Sequence, residues 1–117
     1  MSDLNGLRVL VVEDEPVVAM CLEDILEELG CVTVGPANRL SEGLKLAEGE
    51  LDAAILDINL GGERSNSIAE LLRSRGVPFA FASGYGSAPE GFGAPMIEKP
   101  YRTADIARAL SAIMGEP

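Results

Sequence analysis

The chain has 117 residues, a formal net charge of −10 at pH 7 and no histidine. That length fits one domain with its own core. The charge argues against nucleic acid and anionic membrane as direct ligands, and the lack of imidazole excludes a histidine metal site and a phosphohistidine of the chain's own. Hydrophobic residues make up 47% and aromatics only 4%, so the core is expected to be aliphatic.

Residues 7–12 (LRVLVV) form the first apolar run, with the composition of a strand buried on both faces. Glu13, Asp14 and Glu15 follow it. Residues 16–29 place Val17, Val18, Cys21, Leu22, Ile25, Leu26 and Leu29 on one helical stripe, with Glu23, Asp24, Glu27 and Glu28 on the other side. Pro16 suits the first helical turn and Gly30 a left-handed stop. Cys21, on the stripe, and Cys31, opening the next run, both read as small core hydrophobes. Two such cysteines make neither a disulfide framework nor a metal pair.

Residues 31–34 (CVTV) give a weaker second strand, and Leu40, Leu44 and Ala47 mark a shorter helix. Residues 51–58 (LDAAILDI) form a third strand, interrupted by Asp57, and Ile68, Leu71 and Leu72 mark a third helix. Residues 77–82 (VPFAFA) form a fourth strand that ends in Ser83 and Gly84. Residues 84–95 (GYGSAPEGFGAP) hold four Gly and two Pro, which limits any fourth helix to about one or two turns, short or poorly ordered. Residues 94–97 (APMI) are a weak fifth strand, followed by Glu98, Lys99 and Pro100. Ile106, Leu110 and Ile113 mark the last helix, with Thr103 as its expected N-cap and Asp105 in the first turn.

This alternation predicts an α/β fold: a five-stranded parallel sheet with helices on both faces and right-handed crossovers. Residues 1–6 are short and polar, so no signal peptide is expected; no apolar run is long enough to span a bilayer, and a cytoplasmic location is expected.

In such a sheet, ligands sit at the carboxyl ends of the strands. Glu13 and Asp14 follow the first run, Asp57 ends the third, Ser83 the fourth and Lys99 the fifth. Each has an ordinary reading alone: Asp14 as a helix cap, Ser83 as a turn residue, Lys99 as a solvated cation. Together they are hard to read as coincidence. A carboxylate at the mouth of a core strand is costly unless paired, and Lys99 or a divalent metal could pair Asp57. Glu13, Asp14 and Asp57 offer hard oxygen ligands, for which Mg²⁺ is the natural guest and Mn²⁺ an alternative. Without metal, their mutual repulsion should raise at least one pKa. A carboxylate beside Mg²⁺ can attack phosphorus and form an aspartyl phosphate. Metal, Lys99 and the Ser83 hydroxyl would then each hold one equatorial oxygen.

The motifs VVEDEP (11–16), ILDINL (55–60), FASGY (81–85) and EKPY (98–101), in this order, resemble the receiver domains of two-component response regulators over residues 5–115. FASGY is similar to a subgroup with a Phe-Ala-Thr-Gly-Tyr-like motif, often single-domain receivers. The resemblance implies a flavodoxin-like (βα)₅ fold with no separate output domain. It implies a phosphoacceptor that catalyses its own phosphotransfer and dephosphorylation rather than an enzyme acting on another substrate. The donor would be a sensor histidine kinase or a histidine phosphotransfer protein, and the output a protein target or a phosphorelay. Asp57 would accept the phosphoryl group, Asp14 would ligate Mg²⁺ directly, Glu13 would act mainly through metal-bound water, and Asn59 would give its backbone carbonyl. Ser83 would be the switch hydroxyl, and Lys99 would clamp the phosphoryl group after a cis bond to Pro100. Receivers commonly carry a switch aromatic where this chain has Met96, so Tyr85 becomes the substitute candidate, and phosphorylation is expected to order residues 84–95. A pseudo-receiver that binds a partner without phosphorylation is the competing reading. An aspartyl-phosphate hydrolase is disfavoured because Asp57-Ile58-Asn59 lacks a second acid.

Overall fold

The computed structural model of the chain describes residues 4–84 and 91–115. Five strands, β1 (Arg8–Val12), β2 (Val32–Ala37), β3 (Ala53–Asp57), β6 (Phe79–Ser83) and β7 (Met96–Glu98), form one parallel sheet in the order β2-β1-β3-β6-β7. Between β3 and α3 lies a two-stranded antiparallel hairpin of β4 (Asn59–Leu60) and β5 (Glu63–Arg64). Four helices are present among the described residues: α1 (Pro16–Glu28), α2 (Leu40–Leu46), α3 (Asn66–Ser74) and α4 (Thr103–Ile113).

Alternation along the strands divides the core in two. Val9, Val11, Ala53, Ile55, Ala80, Ala82 and Ile97 pack with Leu22, Ile25 and Leu26 of α1 and Ile106, Ala109 and Leu110 of α4. Leu10, Val12, Ala54, Leu56, Phe79 and Phe81 pack with Ile68, Ala69 and Leu72 of α3, and with Leu40, Leu44 and Leu46 of α2. Burial on both faces explains why the central strands read as continuous apolar runs rather than as alternating ones. No described helix is long and apolar enough to cross a membrane.

Several expectations shift. Cys31 is buried, but Cys21 is exposed, and Val17 on the same expected stripe is 78% exposed. The buried side of α1 runs through Ala19, Leu22, Ile25 and Leu26. Cys21 precedes Leu22 and is rotated from it by about 100°, one residue's share of a turn. Thr103 is the first helical residue of α4 rather than its cap. Arg102 holds that place, without a side-chain capping bond. Strand β2 runs on to Ala37, past a register shift opposite Leu10–Val12, and it includes Gly35 at φ 100° and a cis Gly35–Pro36 bond. Of residues 84–95, those at 85–90, Tyr85 among them, lie outside the described residues, and residues 91–95 carry no helix.

Candidate functional site

Parallel register brings the polar groups to one edge. Val12 pairs with Leu56, so Glu13 and Asp14 emerge beside Asp57. Asp57 pairs with Ala82, which places Ser83 one step beyond it on β6. Ser83 in turn pairs with Glu98, the last residue of β7, which Lys99 follows directly. The Lys99 N–H donates to the Ser83 carbonyl at 3.0 Å. The chain then turns through a cis Lys99–Pro100 bond.

Glu13, Asp14 and Asp57 each offer a carboxylate oxygen, and the three atoms lie within 4.8 Å of one another. Glu13 is 1% exposed and Asp57 7%. Lys99 lies between them, its Nζ 2.8 Å from Glu13 Oε1 and 3.1 Å from Asp57 Oδ2. The Tyr101 hydroxyl donates to Glu13 Oε1 at 3.3 Å, and the Glu15 N–H to Glu13 Oε2 at 3.2 Å. Asp14 is half-buried and accepts the Gly61 N–H on Oδ2 at 2.9 Å. The ordinary reading of Asp14 as a helix cap does not hold: Glu15 occupies the N-cap position of α1, without a side-chain capping bond. Gly61 and Gly62 have φ of 57° and 96°, the double positive φ of a two-residue hairpin turn. The β4–β5 hairpin therefore serves to aim an amide at Asp14.

The electrostatics follow from burial of several acids around one cation. Burial, then the nearby Glu13 charge, pushes Asp57 up to about 7, against the opposing pull of Lys99. Burial works against the Lys99 ammonium, but bonds to Glu13 and Asp57 outweigh it and raise its pKa. Burial, reinforced by Glu13 and Asp57, raises the Tyr101 phenol, which stays an O–H donor. The repulsion expected among the acids is thus present and falls on Asp57. The donor set, carboxylates with no sulfur or imidazole, suits Mg²⁺.

The structure brings Glu13, Asp14, Asp57 and Lys99 into one cluster, with half-buried Ser83 on the neighbouring strand end. Asn59 is exposed, two residues past Asp57 at the start of the hairpin. Met96 stands apart from the cluster. It pairs with Phe81 and packs against the α2–α3 half of the core. Tyr85 lies outside the described residues. Two contributors were missed in the sequence, Tyr101 and the Gly61 amide. The aromatic after Lys-Pro was the available signal for the first, because a buried tyrosine needs a partner for its hydroxyl. The Gly-Gly pair was the signal for the second.

The response regulator receiver domain family matches residues 9–110. The phyllosphere-induced regulator PhyR of Methylorubrum extorquens is 34% identical over 114 residues, which cover 89% of this chain and 42% of PhyR. The chain therefore spans less than half the length of that curated relative. Among solved structures, SdrG from Sphingomonas melonis Fr1 is 43% identical with a TM-score of 0.83, over 97% of this chain and 99% of SdrG. The response regulator PhyR from Brucella abortus is 28% identical with a TM-score of 0.80, over 93% of this chain and 48% of that one. With its flavodoxin-like sheet and the acids and lysine at its carboxyl edge, the chain belongs to the family of response regulator receiver domains.

Proposed function

We propose that the chain accepts a phosphoryl group on Asp57 in a Mg²⁺-dependent reaction, from a phosphohistidine on a sensor kinase or a histidine phosphotransfer protein. The observation that carries this reading is the buried Asp57 carboxylate, 3.1 Å from Lys99 Nζ and clustered with the oxygens of Glu13 and Asp14. An Asp57 oxygen forms a bond to phosphorus as the donor's P–N bond breaks. The electron pair leaves with the imidazole nitrogen, which takes a proton from solvent. Lys99 moves from Asp57 to a phosphoryl oxygen, and the Ser83 hydroxyl, at the adjacent strand end, donates to another. Asp14, Asp57, the Asn59 carbonyl and, through water, Glu13 would hold a Mg²⁺, which when bound would supply neutralisation of the charge on the phosphoryl group. The domain promotes its own transfer and its own hydrolysis. Its output is a phosphorylation-dependent protein contact or onward relay.

Incubation with acetyl phosphate and Mg²⁺, read by intact mass, tests this. A gain of one phosphoryl group that disappears in Asp57→Asn supports it. A wild type that binds Mg²⁺ yet gains nothing is instead a pseudo-receiver that works by partner binding alone.

A further inference from the structure

We propose that Tyr101 is a positioning residue for the phosphorylated state: its hydroxyl keeps Glu13 seated when Lys99 leaves to hold the phosphoryl group. This inference rests on the phosphoacceptor reading of Asp57. Glu13 is almost fully buried, and the structure gives its carboxylate three donors. Lys99 Nζ and Tyr101 OH share Oε1, at 2.8 and 3.3 Å, and the Glu15 N–H serves Oε2 at 3.2 Å. Only Lys99 also reaches Asp57, at 3.1 Å. An anion on Asp57 therefore draws away the shorter of the two contacts at Oε1. Tyr101 is then the remaining side-chain donor of the three. Its ring is buried in the α1–α4 half of the core, so the hydroxyl stays in place while the longer, more flexible lysine moves.

Removing the hydroxyl has two consequences of the same sign. In the free state Lys99 loses its competitor for Oε1 and pairs with Glu13 more tightly. In the phosphorylated state a buried carboxylate oxygen is left without its donor, which is more costly than the loss of an exposed bond. Both favour the state in which Lys99 stays on Glu13. The hydroxyl thus matters more with an anion on Asp57 than without one, a difference that ring packing alone does not produce.

The test is Tyr101→Phe, which keeps the ring. Beryllofluoride, a phosphoryl mimic, is titrated at saturating Mg²⁺ by calorimetry. Mg²⁺ affinity without fluoride and the thermal midpoint of the metal-free protein are measured beside it. Beryllofluoride affinity should fall about tenfold, the size expected for a lost bond to a buried charge. Mg²⁺ affinity and the thermal midpoint should fall much less. Unchanged beryllofluoride affinity, or a loss no larger than that in Mg²⁺ affinity, overturns the positioning role while leaving the phosphoacceptor reading standing. A wild type that binds Mg²⁺ but no beryllofluoride overturns both.

Discussion

The Lys99 ammonium lies 2.8 Å from Glu13 Oε1, closer than the 3.1 Å that separates it from Asp57 Oδ2. One cation therefore compensates two buried acids and holds the site together before any phosphoryl group arrives. Lys99→Met should leave both carboxylates without it. Breaking a buried pair from one side costs roughly 3 kcal/mol, and urea unfolding in the presence of a chelator should show a loss of that order. Adding Mg²⁺ should narrow the gap to wild type, because the ion supplies the missing positive charge. A gap that is the same with and without Mg²⁺ would argue against a shared electrostatic role for Lys99 and the metal.

The raised Asp57 pKa gives metal-free stability a defined pH dependence. In the folded protein the group titrates at about 7, and in the unfolded chain near the ordinary aspartate value of about 4. Between those values the folded state binds more protons than the unfolded one. The slope of stability with pH is negative there: the contribution is complete below the unfolded pKa and is lost as pH rises through about 7. Asp57→Asn cannot ionise and should escape this loss. With chelator present, the variant should gain stability relative to wild type as pH rises from 4 to 8, as read by denaturant midpoints. Saturating Mg²⁺ should oppose that gain, because it binds the ionised carboxylate. A difference between the two proteins that does not change across this range would refute the assignment.

The sheet and most of the cluster were legible because the signals are local. Apolar runs mark strands buried on both faces, and Asp57 stands out as a charge inside one of them. What was hidden depends on tertiary contact. Tyr101 and Glu13 are 88 positions apart, and nothing near either residue announces the other. The helical stripe of α1 was seen, but periodicity alone does not say where its edge falls, so Cys21 and Val17 were placed inwards although they face solvent. The hairpin carrying Gly61 was missed because its strands are two residues each, too short for any alternation to register.

Gly35 shows how backbone at the sheet edge supports the site. Its φ is 100°, and a Cβ there would meet Ala37 N at 2.8 Å and Val11 O at 3.0 Å. Both are backbone atoms, with little freedom to move aside. The same stretch ends at Ala37, whose carbonyl accepts the Glu13 N–H at 2.9 Å. Gly35→Ala should destabilise the protein by about 2 kcal/mol, from strained φ and close contact together. Because the strain lies beside β1, Mg²⁺ affinity should fall as well. Chemical denaturation and calorimetry measure the two effects, and a variant as stable as wild type would show that β2 can shift register without cost.

The C-terminal side of the glycine-rich segment is held by α3. Arg73 Nη1 donates to the Gly91 carbonyl at 2.9 Å, and its guanidinium lies 4.8 Å from the centre of the Phe92 ring. Phe92 in turn makes edge contacts with Phe79 and Phe81, at 5.9 and 5.7 Å between ring centres. Those two residues belong to β6, the strand that ends in Ser83, and Phe81 is also the register partner of Met96. A change at the Ser83 hydroxyl therefore has a packed route to residues 91–96 that needs no aromatic at position 96. Arg73→Ala should remove the outer clamp and leave the ring packing. An exposed cation–π contact contributes about 0.5–1 kcal/mol and the exposed bond to Gly91 a similar amount, so global stability should fall by no more than about 2 kcal/mol. Amide exchange at residues 91–94 should speed up while exchange in β1 and β3 stays as it is. In wild type, beryllofluoride should slow exchange in the same residues, and in the variant that protection should shrink. Equal protection in both proteins would show that Phe92 alone fixes the segment and that Arg73 has no part in carrying the signal.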